Sequence, residues 1–157
     1  MSESIRHDHS VDAAWDFYGC DLTALADPGL AEGLHADIIA AGFTPACENP
    51  AYLFRRFDGG GVSFGELLME SHAVIHGSPE NSSVVEVTIH SCYIVGLDDY
   101  RKTPKEKTKD LYELWRRRLK PTRVVPMGAR IRASAQSVIY GISSSRKRRE
   151  PKLAQVR

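Results

Sequence analysis

Hydrophobic and polar positions along this chain switch between two periods. Residues 84–92, "VVEVTIHSC", alternate strictly: Val85, Val87 and Ile89 fall on one side, Glu86, Thr88 and His90 on the other, which predicts a half-buried strand. "AAWDFYGCD" (13–21) reads as an aromatic-rich first strand ended by Gly and Asp. "AYLFRRF" (51–57) and residues 62–69 read as strands joined by the turn "DGGG" (58–61), and "HAVIH" leads into a hairpin-like loop, "SPENSS" (78–83). Helical spacing governs two other stretches. Leu30, Leu34, Ile38 and Ile39 share one face, with Asp27 expected as cap, Pro28 in the first turn and Gly42 past the end. Leu111, Leu114, Trp115 and Leu119 share another face, announced by Thr103, Pro104 and Glu106 as a capping box and closed by Arg116 to Arg118 near the negative end of the helix dipole. "RVVPM" and "RIRASAQSVIYG" predict two further strands.

Strands outnumber helices and their connections are short. The expected architecture is α+β: a two-layer sandwich with a largely antiparallel sheet and helices on one face. At 157 residues the chain suits one domain, expected over 1–140, with 141–157 as a basic, solvated, disordered tail. Net charge is +1, yet residues 1–100 hold 3 basic and 16 acidic side chains (−13) and residues 101–157 hold 18 and 4 (+14). Nothing beyond that charge supports nucleic-acid binding, because no basic motif is interleaved with aromatics. No apolar run approaches the roughly 18 residues of a membrane helix, and the polar start "MSESIRHDHS" is unlike a secretory signal, so a cytoplasmic protein with reduced thiols is expected. Cys20, Cys47 and Cys92 make no metal-binding spacing, so no metal is expected.

One break in the pattern stands out. Two apolar runs in "LLMESHAVIHGSPE" are separated by Glu70, Ser71 and His72 rather than by a turn residue. From Phe57 to Glu80, "FDGGGVSFGELLMESHAVIHGSPE" resembles the self-cleaving segment of prokaryotic-type S-adenosylmethionine decarboxylase proenzymes, which are pyruvoyl-dependent. The resemblance rests on Phe57, Gly-Val-Ser ending at Ser63, Glu70-Ser71-His72, Ile75-His76, Pro79-Glu80 and a later Cys92; it includes the early "FYGCD" and fades beyond Cys92.

The resemblance implies a zymogen that cuts itself between Glu70 and Ser71. The Ser71 hydroxyl would attack the Glu70 carbonyl, and elimination would leave a pyruvoyl cofactor derived from Ser71, with Ser63 and His76 serving this processing step. The pyruvoyl carbonyl would form a Schiff base with the substrate amine and take up electrons as carbon dioxide leaves, Cys92 returning a proton. Phe57 and Glu80 match substrate-binding positions, for adenine stacking and ribose hydroxyls. The implied role is a carboxy-lyase feeding polyamine (spermidine) biosynthesis, acting on a small molecule as a homo-oligomer of cleaved chains with sites shared between subunits. Read from the residues alone, Ser63, His72, His76, His90 and Cys92 are equally compatible with structural roles, and Cys20 is expected in the core.

Three departures bear on the match. Ser78 stands where the family carries an aromatic, Met69 replaces a small polar residue, and one extra residue separates Glu80 from Cys92, so that Ser91 competes for the catalytic position. These keep two alternatives open: a pyruvoyl-dependent arginine or ornithine decarboxylase on the same scaffold, and a non-processing regulatory homologue.

Overall fold

The structure, a computed structural model, describes residues 8–77, 83–92 and 102–133. Ser78 and Glu80, and the basic segment 141–157, lie outside the described residues. The elements run β1 (Asp8–Tyr18), α1 (Leu22–Ala26), α2 (Leu30–Ala41), β2 (Leu53–Arg56), β3 (Val62–Leu68), β4 (Ser71–Gly77), β5 (Val85–Cys92), α3 (Pro104–Leu119) and β6 (Arg123–Ala133). The strands form one six-stranded sheet in the order β2-β3-β4-β5-β1-β6. All neighbouring pairs are antiparallel, as short connections demand.

Alternation sorts the sheet into two faces. Phe64, Ala73, Ile75, Val85, Val87, Ile89 and Phe17 are buried against Leu25 of α1, Leu30, Leu34 and Ile38 of α2, and Leu111, Trp115 and Leu119 of α3. The helices therefore form one layer and the sheet the other. The opposite face carries the intervening residues, among them exposed Leu53 and Leu67, and the described helices leave it open. Polar ties fix the layers. Arg118 clamps Asp37 with two bonds of 2.6 and 2.8 Å, joining α3 to α2. Buried Glu66 on β3 meets His35 Nδ1 of α2 at 3.0 Å; burial pushes its carboxyl pKa up, and the His35 contact opposes that rise.

The end of α3 expected from sequence is present. The Thr103 hydroxyl accepts from Glu106 N–H and the Glu106 carboxylate accepts from Thr103 N–H, with Pro104 in the first turn. Replacing Thr103 by Ala should lower stability by about 1 kcal/mol, read as a lower denaturant midpoint with unchanged slope. Gly42 ends α2 with φ +96°, a backbone conformation that suits glycine.

Several expectations need correction. Asp27 is not the cap of α2; Gly29 holds that position, and the Asp27 carboxylate accepts from Gly29 N–H at 3.0 Å. Ile39 is 52 % exposed, because α2 buries the stripe through Leu34, Ile38 and Ala41. The short helix α1, capped by Asp21, lies in a stretch to which the sequence pattern assigns no element. The first strand expected after α3 runs on through Pro126 and Gly128 to Ala133 as β6, taking in the start of the second, with a register shift opposite Ala14 and Trp15; residues 134–141 of that second strand lie outside the described residues.

Candidate active site

The Glu-Ser-His break occupies the β3–β4 connection, and the structure accounts for each residue in it. Met69 N–H donates to the Thr44 carbonyl at 2.8 Å, tying the connection to the segment after α2. The Glu70 side chain turns into the interior, 3 % exposed, where it accepts from Lys107 Nζ at 2.9 Å and from Thr44 N–H at 3.1 Å. A carboxylate at position 70 is thus an anchor for the turn. The Glu70 backbone carbonyl accepts from Cys92 N–H at 2.9 Å.

Ser71 carries φ +154°, a region that L-residues rarely adopt and that stores about 1–3 kcal/mol of strain. Among the described residues the other positive-φ non-glycine is Lys120, which merely caps α3. The Ser71 hydroxyl lies 3.1 Å from His72 Nδ1. Burial pushes the His72 pKa down and nearby His90 adds to the effect, with Asp12 opposing, so the ring favours the neutral form that can take a proton. The His72 and His90 rings meet edge to face with centroids 5.5 Å apart.

Register brings the remaining groups in from two strands. Ser71 pairs with Ser91 and His72 with His90 across β4–β5; Asp12 pairs with His90 across β1–β5. Ser91 faces the helices, fully buried, and its hydroxyl has no hydrogen-bond partner among the described residues. Cys92, partly exposed, lies on the open face with His90, its Sγ 3.4 Å from His90 Nε2. Cys20, in contrast, is buried, bonds the Phe17 carbonyl at 3.5 Å and has its pKa raised to about 11 by burial, so it is a core thiol.

Ser63 and His76 form a separate group. They face each other across β3–β4, Ser63 Oγ 2.6 Å from His76 Nδ1. Phe57 joins them, its ring edge to face with His76 at 6.2 Å and the Arg55 guanidinium 5.6 Å from its centroid. Five residue steps along β4 separate His76 from Ser71, roughly 17 Å at strand rise. The chain therefore presents two separate groups: Ser71, in register with helix-facing Ser91, next to His72, His90 and Cys92 of the open face, and, further along that face, Ser63 and His76 with Phe57 against them. Glu80 lies outside the described residues.

Sequence reasoning left His72, His90 and Asp12 without a role. Part of the signal was present: alternation puts His90 on the same face as Cys92, and His72 adjoins Ser71. The Asp12 pairing follows only from sheet order. No cluster of three or more metal-ligating side chains occurs among the described residues, and no described helix is long and apolar enough to cross a membrane.

The fold is a two-layer α+β sandwich in which a serine with a strained backbone enters a strand and the preceding carbonyl is already hydrogen-bonded. Residues 12–127 match the family S-adenosylmethionine decarboxylase, and the chain belongs to that family. The fold is similar to the crystal structure of the adenosylmethionine decarboxylase from Aquifex aeolicus VF5, with a TM-score of 0.58 and 20 % identity over 78 % of this chain and 89 % of that one. A comparison with curated proteins finds no match.

Proposed function

We propose that this protein is a self-processing S-adenosylmethionine decarboxylase that cleaves between Glu70 and Ser71. The observation that carries the reading is the Ser71 backbone at φ +154°, joined to a hydroxyl within reach of a base and a carbonyl within reach of a donor. His72 takes the hydroxyl proton as Ser71 Oγ attacks the Glu70 carbonyl carbon. Cys92 N–H stabilises the charge that gathers on the carbonyl oxygen. The anchored Glu70 side chain keeps that carbonyl aimed while the backbone rearranges to an ester, and relief of strain at position 71 favours the break.

The residues around position 71 fit a pyruvoyl group there. The buried Ser91 hydroxyl, without a hydrogen-bond partner among the described residues, is a donor suited to such a group, and a trigonal carbon at position 71 carries no φ penalty. When formed, the group supplies an electron-withdrawing carbonyl for decarboxylation. Cys92, on the open face beside it, is placed to give a proton to the substrate α-carbon. Phe57 offers a stacking surface for the adenine ring, worth on the order of 1 kcal/mol. Glu80 is proposed, by the match alone, to bind the ribose hydroxyls.

The separation of the two groups supports the expectation of shared sites. A partner chain laid face to face on the open sheet, related by a two-fold axis, brings its Ser63, His76 and Phe57 to Ser71 of the first chain, and the reverse. Exposed Leu53 and Leu67 on that face suit burial in such an assembly. The product would enter polyamine synthesis in the cytoplasm.

Denaturing electrophoresis with intact mass tests processing. Two fragments are expected, Met1–Glu70 and a chain from position 71 with a blocked amino end; one full-length chain would favour the regulatory homologue. Carbon dioxide release from S-adenosylmethionine, arginine and ornithine, measured side by side, tests the substrate. Release from either basic amino acid alone would overturn the adenosylmethionine assignment.

A further inference from the structure

His90 and Asp12 have no part in the chemistry described so far, yet they are arranged around Cys92. The Asp12 carboxylate lies 3.4 Å from His90 Nδ1, and His90 Nε2 lies 3.4 Å from Cys92 Sγ. The three side chains make a line across two strands: Asp12 on β1, His90 and Cys92 two residues apart on β5. An acid at one ring nitrogen fixes the tautomer, so the other nitrogen faces the sulfur. The line is open to solvent at its middle and at its acid end, since the His90 side chain is 29 % exposed and that of Asp12 38 %.

We infer that His90, held by Asp12, is the relay that reloads Cys92 with the proton that replaces carbon dioxide. The inference rests on the decarboxylase reading. Loss of carbon dioxide leaves an electron pair on the substrate α-carbon, and the net reaction consumes one proton. The Cys92 S–H bond breaks as the carbon takes that proton, leaving a thiolate. The Nε2–H of protonated His90 then gives its proton to sulfur, re-forming the thiol and leaving a neutral ring whose Nδ1–H still points at Asp12. Solvent returns a proton to Nε2, and the line is reset. Without His90 the thiolate must find its proton from water directly.

The test reads the thiol itself as well as turnover. Alkylation of Cys92 by iodoacetamide is followed by peptide mass across pH in the full chain, so that exposed Cys47 is counted separately. The wild-type profile should show two inflections, one from the histidine beside the sulfur and one from the thiol itself. His90→Gln should keep only the thiol inflection. Asp12→Asn should move the histidine inflection to lower pH, because the carboxylate that favours the imidazolium is gone while His72 still faces the ring from β4. Turnover per cleaved chain should fall at least about tenfold in His90→Gln, with KM little changed.

If His90→Gln retains the histidine inflection, or turns over at the wild-type rate, the relay is wrong. Should that variant fail to fold, Asp12→Asn decides: an inflection that stays in place overturns the assignment. A wild-type chain that neither cleaves nor releases carbon dioxide would sink the decarboxylase reading, and this inference with it. A cleaved, active wild type with an unaltered Cys92 profile in His90→Gln would sink the relay alone.

Discussion

Cells that make the Ser71→Ala and His76→Ala chains together will yield cut His76→Ala chains, although each variant made alone stays whole or nearly so. Ser71→Ala has no hydroxyl to attack the Glu70 carbonyl, so its cleavage is lost completely whatever its partner supplies. His76→Ala keeps the strained Ser71 but leaves Ser63 without the ring 2.6 Å from its hydroxyl. If Ser63 and His76 acted on Ser71 of their own chain, mixing would change nothing, because the roughly 17 Å of strand between them would have to be closed within each chain. If they act across a two-fold assembly, a mixed dimer holds one complete site: Ser71 from the His76→Ala chain and His76 from the Ser71→Ala chain. Distinguishable tags and intact mass give the answer directly. Absence of cut His76→Ala chains from a purified mixed dimer would refute sharing of the site.

Lys107→Met should lose about 3–5 kcal/mol of stability, the cost of leaving a buried carboxylate without its cation. Lys107 Nζ and Glu70 Oε1 are 2.9 Å apart, with their side chains 8 % and 2 % exposed. Thr44 N–H would remain on the other carboxylate oxygen, and one neutral donor does not replace an ammonium. The denaturant midpoint should drop accordingly. Cleavage should also slow in the fraction that folds, since the turn that aims the Glu70 carbonyl would have lost its main anchor. The double variant Lys107→Met with Glu70→Gln removes both charges and should recover much of the stability while cleavage stays slow. A loss below about 1 kcal/mol in Lys107→Met would show that the pair does not hold the turn.

The parts of this architecture that were legible in the sequence are those set by local chemistry. The α3 capping box needs only residues three apart, the strand 85–92 needs only its own alternation, and Gly42 needs only its own φ. The Glu-Ser-His break was visible because it interrupts a pattern over a few residues. What stayed hidden depends on partners distant in sequence. No reason for Glu at position 70 could be read locally, because its cation is Lys107 on another element. Asp12 meets His90 only because β1, first in the chain, inserts between β5 and β6. Ile39 satisfied the helical period, yet which side of a broad apolar stripe reaches the sheet is decided by the packing of α2 against α3. The sequence pattern divides this region between Met127 and Arg130, at Gly128 and Ala129, where β6 instead continues with a nearby register shift rather than a turn.

That irregular outer strand has a consequence for how copies of the chain meet. Pro126 offers no N–H to a newcomer, and the shifted register twists the border of the sheet away from a straight template. At the far border, β2 is only four residues long and carries Arg55 and Arg56. Both rims are therefore poor docking lines for a further strand. Runaway side-by-side stacking into fibrils is disfavoured, which leaves the uncovered surface for the proposed pairing of two chains.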